Sequence, residues 1–232
     1  MEYKEILQII YDYLFELYGP QGWWPLLEVN GCNPTKTGCV NGYHPKNYEY
    51  PKTKNQCFEI CIGAILTQNT SWPSVEKSLK NLRNLIEITP ENVIELDIKL
   101  LKEAIKPSGY FNQKSERLKG FSEYFIKLKN TPTREELLKL KGVGPETADS
   151  MLLYAFKVPS FVVDSYTKRI LFNLNLIEND EKYDKIKELF EENIEKNLEM
   201  YQEYHALLVE HAKNYYRKKE NYCKCPLLKI IK

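Results

Sequence analysis

The sequence lacks the features that would indicate a membrane protein, a secreted protein or a strongly charged binding protein. No apolar run approaches the roughly 18 residues that a bilayer-spanning helix needs. The first residues, MEYKEILQIIYDYLFELYG, are amphipathic and carry acids, so they do not resemble a signal peptide. The net charge is only +1, which gives no overall basic bias in favour of nucleic acid but leaves room for local phosphate contacts. We therefore expect a cytoplasmic protein with no membrane partner.

Glycine is also scarce, with 10 residues among 232, and strand-like patterns are scarcer still. One short β-branched run, SFVVDSY at 160–166, is strand-like but stands alone. Helical spacing of apolar residues dominates instead, beginning with a stripe from Ile6 to Leu17 that Gly19-Pro20 ends. The sequence therefore predicts an all-α fold.

The segment LKGVGPETADSMLLYAF, at 140–156, predicts a helix–hairpin–helix. Gly142-Val143-Gly144 forms a tight turn, and Pro145 suits the first turn of the next helix. Glycines allow close approach of another surface, and free N–H groups at a helix start favour phosphate. Val143 can anchor the turn by packing inward. A plain connection between two helices is the alternative interpretation.

Asp164 closes the apolar run FVV and opens the next helix. Aspartate is favoured as a helix N-cap, and that role alone would account for the residue. The same position keeps a carboxylate ionised and fixed in direction. Asp164 is therefore also a candidate catalytic carboxylate.

Together these segments resemble the helix–hairpin–helix DNA glycosylases of the endonuclease III superfamily. The resemblance lies in Leu140–Gly144, Thr147-Ala148 and Val163-Asp164 with Arg169. It implies a catalytic Asp164 and two helical lobes flanking a cleft for double-stranded DNA. Residues 55–158 would form a helical barrel with the hairpin, and residues 1–54 with 159–232 a second lobe. We expect a monomer.

Two further segments resemble the parts of these enzymes that replace an extruded base. AILTQNT (64–70) places Gln68 where the family's glutamine fills the gap, and PSGYFNQKSERL (107–118) places Tyr110 at a second wedge loop. Lys168 and Arg169 could reach phosphates. A polar helix end for Gln68 and ordinary packing for Tyr110 are the alternatives.

Glu146 stands where the bifunctional members of the family carry a lysine that attacks the sugar. An acid cannot do so, and the resemblance therefore implies a monofunctional glycosylase. An acid in a first helical turn is also favoured by the helix dipole alone. GWWP, with Trp23 and Trp24, resembles the 3-methyladenine glycosylase branch. These rings could stack an electron-poor alkylated base, although a core role for at least one of them is the alternative.

Six cysteines occur in three pairs. Many family members end with four cysteines spaced C-x6-C-x2-C-x5-C around an iron–sulfur cluster, and this sequence departs from that pattern. Cys32, Cys39, Cys223 and Cys225 could instead meet as a four-thiolate site for a 4Fe-4S cluster or zinc. Unligated thiols are the alternative. Cys57 and Cys61 are interpreted as core residues, and His211 as a helix-surface residue.

The sequence thus predicts a monofunctional DNA N-glycosylase that flips and hydrolyses away a damaged, alkylated base. Asp164 would perform catalysis, and no cofactor is needed for the hydrolysis itself. Two alternatives stay open: a bifunctional glycosylase with lyase activity from another lysine, and a non-catalytic hairpin module that only binds DNA.

Overall fold

A computed structural model of the chain describes residues 2–32, 34–35 and 41–231. These residues form twelve α-helices and contain no β-strand, which confirms the predicted all-α fold. The strand-like run at 160–166 forms an irregular connection up to Asp164 and then enters a helix at Ser165. Within the described ranges, every helix is too short or too polar to cross a bilayer.

The twelve helices follow one another along the described chain. They are α1 (Tyr3–Tyr18), α2 (Lys54–Thr67), α3 (Trp72–Arg83), α4 (Pro90–Glu95), α5 (Ile98–Ile105), α6 (Phe111–Lys127), α7 (Arg134–Leu138), α8 (Pro145–Ser150), α9 (Ser165–Asn173), α10 (Tyr183–Asn193), α11 (Leu198–Tyr215) and α12 (Leu227–Ile230). A π-helix, Met151–Ala155, continues α8, and short 3₁₀ helices occupy Lys106–Ser108 and Lys219–Lys224.

Helix α2 forms the centre of the molecule. It begins at Thr53, whose side chain accepts a hydrogen bond from the Gln56 N–H, as an N-cap should. Every residue from Phe58 to Leu66 is buried. A helix that is apolar on all sides belongs in a core, and α2 packs against α3, α6 and the π-helix.

The other helices pack around α2 in two groups. On one side α3 packs on α5, and α4 packs on α6. On the other side α1 packs on α10 and α11, while α9 packs on α11. The π-helix contacts both α2 and α11 and so joins the groups. This arrangement gives two helical lobes, and the exact boundaries at residues 54 and 158 stay predictions.

Helices α7 and α8 form the helix–hairpin–helix. Thr133 caps α7 by accepting a hydrogen bond from the Glu136 N–H at 3.2 Å. Gly142 takes φ +82° in the turn, a conformation that favours glycine. Val143 packs inward with 7% of its surface exposed, as the sequence predicts.

Candidate active site

A cavity of about 320 Å³ lies beside the hairpin. Its walls come from the C-terminal end of α2, the start of α3, the segment 23–25, and helices α8, α9 and α11. The cavity brings together Asp164, Glu146, Gln68, Trp23 and Trp24, five of the residues singled out in the sequence. The hairpin turn, Tyr110, Lys168 and Arg169 lie outside its lining.

Asp164 is half-buried at the N-terminus of α9. Its Oδ1 accepts hydrogen bonds from the Thr167 N–H at 2.7 Å and from the Thr167 hydroxyl at 2.9 Å. The expected N-cap is therefore present, and it fixes the carboxylate direction. Because Asp164 also lines the cavity, the capping role and a catalytic role are compatible in one side chain.

Glu146 faces the same cavity from the first turn of α8. Glu146 is exposed by its surface area, but the neighbouring protein atoms withdraw its carboxylate from much of the water. This desolvation, reinforced by repulsion from Asp164, raises the pKa of Glu146 to about 7, while Lys168 opposes the shift. Near neutral pH the cavity therefore holds one carboxylate that exchanges a proton readily.

Tryptophans dominate the apolar wall, and all three tryptophans of the chain line the cavity. Trp24 is 6% exposed, and its ring packs edge-on against Trp72 with centroids 5.3 Å apart. Trp24 therefore fulfils the core alternative as well as lining the cavity. Trp23 is half-buried, which leaves it the more accessible of the adjacent pair.

Buried carboxylates hold the tryptophan segment in place. Glu203, 2% exposed on α11, accepts hydrogen bonds from the Gln21 N–H at 2.6 Å and the Gly22 N–H at 3.4 Å. Glu59 on α2 accepts one from the Leu27 N–H at 2.7 Å. Backbone N–H groups of a non-helical segment need such partners when they are buried, so these acids fix the segment from both sides.

Gln68 at the C-terminal end of α2 is tied to the hairpin. Its Nε2 donates to the Gly142 carbonyl at 2.8 Å and to the Thr147 hydroxyl at 2.9 Å. Its Oε1 accepts from Arg117 Nη1 at 2.6 Å. The guanidinium of Arg117 in turn lies over Gly142, where a Cβ would come within 2.2 Å of Arg117 Nε. In this structure the proposed plug is therefore held against the hairpin by hydrogen bonds.

Tyr110 stands at a loop tip before α6 with 64% of its surface exposed. The buried Lys114 secures this loop, because its Nζ donates to the Ser108 carbonyl at 2.7 Å and to the Leu66 carbonyl at 2.8 Å. Leu66 belongs to α2, so one ammonium links the loop of Tyr110 to the helix that ends at Gln68. The packing alternative for Tyr110 does not hold.

The basic residues after Asp164 already have protein partners. Lys168 Nζ donates to the Glu181 carbonyl at 3.1 Å, and Arg169 lies over the ring of Tyr166 at 5.4 Å. Arg169 is exposed, whereas Lys168 is half-buried. Phosphate contact by either residue stays a prediction.

Sequence reasoning missed several residues of the cavity, namely Trp72, Tyr166, His205, Lys213 and Arg217. Trp72 carried a usable signal, because it is the third tryptophan of the chain and lies four residues after Gln68. The other four lie in segments with ordinary helical spacing, where no neighbouring motif indicates a functional site.

The cysteines within the described residues lie outside the lining of this cavity. Cys32 and Cys223 are exposed, Cys225 is buried, and Cys39 lies outside the described residues. His211 is fully buried, contrary to the surface position expected for it, and its Nε2 lies 3.2 Å from Cys225 Sγ. Cys61 is buried as interpreted, and Cys57 is half-buried.

Only three of the four predicted metal ligands, Cys32, Cys223 and Cys225, lie within the described residues. Among residues 2–32, 34–35 and 41–231, no group of three or more His, Cys, Asp or Glu side chains is placed to hold a metal ion. No step of the reaction is therefore derived through a metal. The four-thiolate site stays a prediction, and iron and zinc analysis of protein purified without oxygen tests it.

An all-α fold in which a hairpin turn adjoins a cavity with a fixed aspartate is the arrangement of helix–hairpin–helix DNA glycosylases. Comparison with known proteins agrees. The family model described as "HhH-GPD superfamily base excision DNA repair protein" matches residues 62–196, more than half of the chain. The chain belongs to this superfamily and is a DNA glycosylase.

Individual relatives extend the likeness over nearly the whole chain. A protein of Methanocaldococcus jannaschii, provisionally named a DNA repair glycosylase, is 40% identical over 96% of this chain and 94% of its own. The crystal structure of the H. pylori 3-methyladenine DNA glycosylase bound to 1,N6-ethenoadenine superposes with a TM-score of 0.67 at 29% identity, covering 92% of this chain and 98% of that one. An endonuclease III–DNA complex superposes with a TM-score of 0.76 at 21% identity, covering 99% and 95%, which shows a shared fold.

Proposed function

We propose that this DNA glycosylase is monofunctional and removes an alkylated, positively charged purine by hydrolysis. The observation that carries the proposal is the composition of the cavity: two carboxylates, Asp164 and Glu146, face three tryptophans. Indole faces attract cations, and an ionised carboxylate strengthens that attraction. The likeness to the H. pylori 3-methyladenine glycosylase supports the same substrate class.

Asp164 is the residue proposed to stabilise the reacting sugar. Cleavage of an N-glycosidic bond gives the deoxyribose oxocarbenium character, and a fixed negative charge lowers the energy of that state. A cationic base is already a good leaving group, so one carboxylate suffices. The hydrogen bonds from Thr167 occupy Oδ1, which leaves Oδ2 for the sugar or for the attacking water.

Flipping exposes the base to this chemistry. Gln68 would move from its hydrogen bonds with the hairpin into the duplex gap, and Tyr110 would wedge the opposite strand. Contact of the hairpin N–H groups with a phosphate would position both. These roles, and those of Gly142, Val143 and Gly144 in DNA binding, follow from the family resemblance.

A panel of duplexes tests the proposal, each carrying 3-methyladenine, 7-methylguanine, hypoxanthine, uracil or mismatched thymine. We expect release of the methylated purines and intact strands until alkali is added. Release of none of these bases, or release of only the neutral ones, contradicts the proposed substrate class.

A bifunctional enzyme is the second candidate, and Lys213 is the observation that favours it. This lysine lines the cavity, and its ammonium lies 6.0 Å from the centre of the Trp23 ring. The buried Glu210 lies 3.2 Å from Lys213 Nζ, and this ion pair holds the side chain at the edge of the cavity.

Borohydride trapping separates the two candidates. In the monofunctional enzyme, we expect no covalent adduct with lesion DNA from the wild type or from Lys213→Ala. An adduct that Lys213→Ala abolishes establishes the bifunctional mechanism. Lys141→Ala is the matched control, because Lys141 is exposed in the hairpin turn and pairs only weakly with Glu116 at 3.6 Å.

A further inference from the structure

His205 on α11 is a titratable residue of the cavity to which the reaction described above gives no task. Its side chain is 4% exposed, and its ring lies edge-on to Trp23 with centroids 5.7 Å apart. Nδ1 lies 2.7 Å from the hydroxyl of Tyr154. The other ring nitrogen, Nε2, has no hydrogen-bond partner among the described residues, and the ring lines the cavity.

The Tyr154 hydroxyl decides which nitrogen of His205 carries the proton. It lies 3.1 Å from the backbone carbonyl of Gln202, which can only accept. If the hydroxyl donates to this carbonyl and accepts from Nδ1–H, both contacts are hydrogen bonds. If it donates to Nδ1 instead, two oxygens face each other without a proton. The first arrangement satisfies more buried polar groups, as interiors require.

His205 therefore presents a bare nitrogen lone pair to the cavity. Burial lowers the pKa of His205, while Asp164 opposes the shift. The lowered pKa favours the neutral imidazole, whose single proton lies on Nδ1. Asp164 and Glu146 also offer oxygens at this site. The polar groups around the tryptophans are thus rich in hydrogen-bond acceptors, which match a ligand edge that carries donors.

We propose that His205 selects flipped purines that carry an exocyclic amino group, by accepting a hydrogen bond from that group at Nε2. The inference rests on the proposed excision of an alkylated base and narrows its substrate class. A base with an oxo group in the same place sets an acceptor against an acceptor and leaves both unpaired, which sites built on hydrogen bonds reject strongly. Tyr154 acts as a positioning residue, because its hydroxyl fixes the tautomer.

Two released bases test the proposal without any catalytic step. 3-Methyladenine and 3-methylhypoxanthine differ in the amino or oxo group at C6, and their binding can be followed by tryptophan fluorescence because every tryptophan lines the cavity. We expect the wild type to bind the amino base about tenfold more tightly, the effect of one buried hydrogen bond. Equal binding of both bases by the wild type overturns the proposal.

Two variants assign the preference to this histidine. His205→Phe keeps a ring against Trp23 but removes the acceptor, and we expect the ratio of the two dissociation constants to fall to within about twofold. Tyr154→Phe keeps the ring of Tyr154, which packs on Trp24 at 5.3 Å, but frees the tautomer. We expect an intermediate ratio of about threefold. If His205→Phe fails to fold, the Tyr154→Phe result decides.

Tyr201→Phe is the matched control on the same helix, because the buried Tyr201 hydroxyl has no hydrogen-bond partner. It should keep the full preference. Loss of the preference in this control, or a tenfold ratio retained by His205→Phe, overturns the proposal. Failure of the wild type to release any methylated base from DNA contradicts the proposed function instead, and the two results are independent.

Discussion

Two aspartates near the hairpin have opposite surroundings. Asp164 faces the cavity, and its described hydrogen bonds come only from Thr167, both to Oδ1. Asp149 on α8 is fully buried, and both of its oxygens accept hydrogen bonds from Arg134. An aspartate whose two oxygens both accept hydrogen bonds from the protein stabilises the fold, whereas one with a free oxygen can act on a bound substrate.

The surroundings of Asp149 join the hairpin to the second lobe. Oδ1 accepts from the Ser160 hydroxyl at 2.7 Å, and Oδ2 accepts from the Tyr183 hydroxyl at 2.8 Å. Lys187 Nζ lies 3.6 Å away. A buried charge with this many partners is compensated, but the loss of one partner leaves the others unpaired.

The two regions are also in contact with each other. The Tyr183 hydroxyl that donates to Asp149 accepts from the N–H of Val163 at 3.4 Å. Val163 directly precedes Asp164. Through Tyr183, Asp149 thus helps to hold the backbone that orients Asp164. The stable region around Asp149 therefore supports the proposed reactivity of Asp164.

The largest effect is expected from Asp164→Asn. Asparagine still caps α9, so the free energy of unfolding should change by less than about 0.5 kcal/mol. Excision should fall about 10³-fold because the negative charge at the sugar is lost. Single-turnover base release and thermal unfolding measure the two quantities. Normal excision by this variant would remove Asp164 from the mechanism.

Asp149→Asn should lower the stability of the fold but leave excision nearly unchanged. It leaves Arg134 and its neighbours without their buried counter-charge, and we expect the free energy of unfolding to fall by about 3 kcal/mol. Excision per folded molecule, measured well below the melting temperature, should stay within a few-fold of the wild type. A variant that is stable but inactive would place Asp149 in the chemistry and end the contrast.

Glu146→Gln tests whether the charge of the second carboxylate in the cavity sets the pH dependence of excision. With a pKa of about 7, Glu146 is protonated below that pH and anionic above it, so its attraction for a cationic base grows as pH rises. We expect kcat/KM for 3-methyladenine to increase about tenfold between pH 6 and 8 in the wild type. The glutamine variant should give a flat profile over this range. Tyr110→Ala, which leaves the cavity unchanged, provides the control and should keep the rise, whereas a rise retained by Glu146→Gln would contradict the charge argument.

Tyr110→Ala should have the smallest effect. The ring is largely exposed, so stability should change by less than about 0.5 kcal/mol. Excision from duplex DNA should fall a few-fold because the wedge is lost, while excision from single strands, which need no wedge, should not change. Lys114→Met, four residues further along in α6, gives the contrasting case because Lys114 is buried. An equal loss on both strand forms would show that Tyr110 does not act on the duplex.

Much of the fold could be predicted because its signals are local. Gly19-Pro20 ends α1, Thr133 caps α7, and the apolar run within α2 marks a central helix. Asp164 could be singled out because the hairpin that accompanies it is close in sequence.

The rest depends on long-range contacts that no local pattern records. His205 becomes part of the site only because α11 packs beside the segment of Trp23. His211 has an ordinary helical setting in the sequence, yet it is buried against Tyr18 and Cys225, residues 193 and 14 positions away. The strand-like run before Asp164 is an irregular connection whose Phe161, Val162 and Val163 are buried in the core.

The placement of Arg117 over the hairpin gives position 142 two separate reasons to remain glycine. One is conformational, because φ +82° strains any residue with a Cβ. The other is steric and weaker, because the guanidinium that fills the space of a methyl group is the end of a flexible side chain, held there by its hydrogen bond to Gln68. A descendant of this chain that exchanged Arg117 for a smaller residue would lift only the second constraint. It would also remove the hydrogen bond to Gln68 Oε1 while Nε2 kept its bonds to Gly142 and Thr147, so a change at position 117 would loosen Gln68 before it freed the turn.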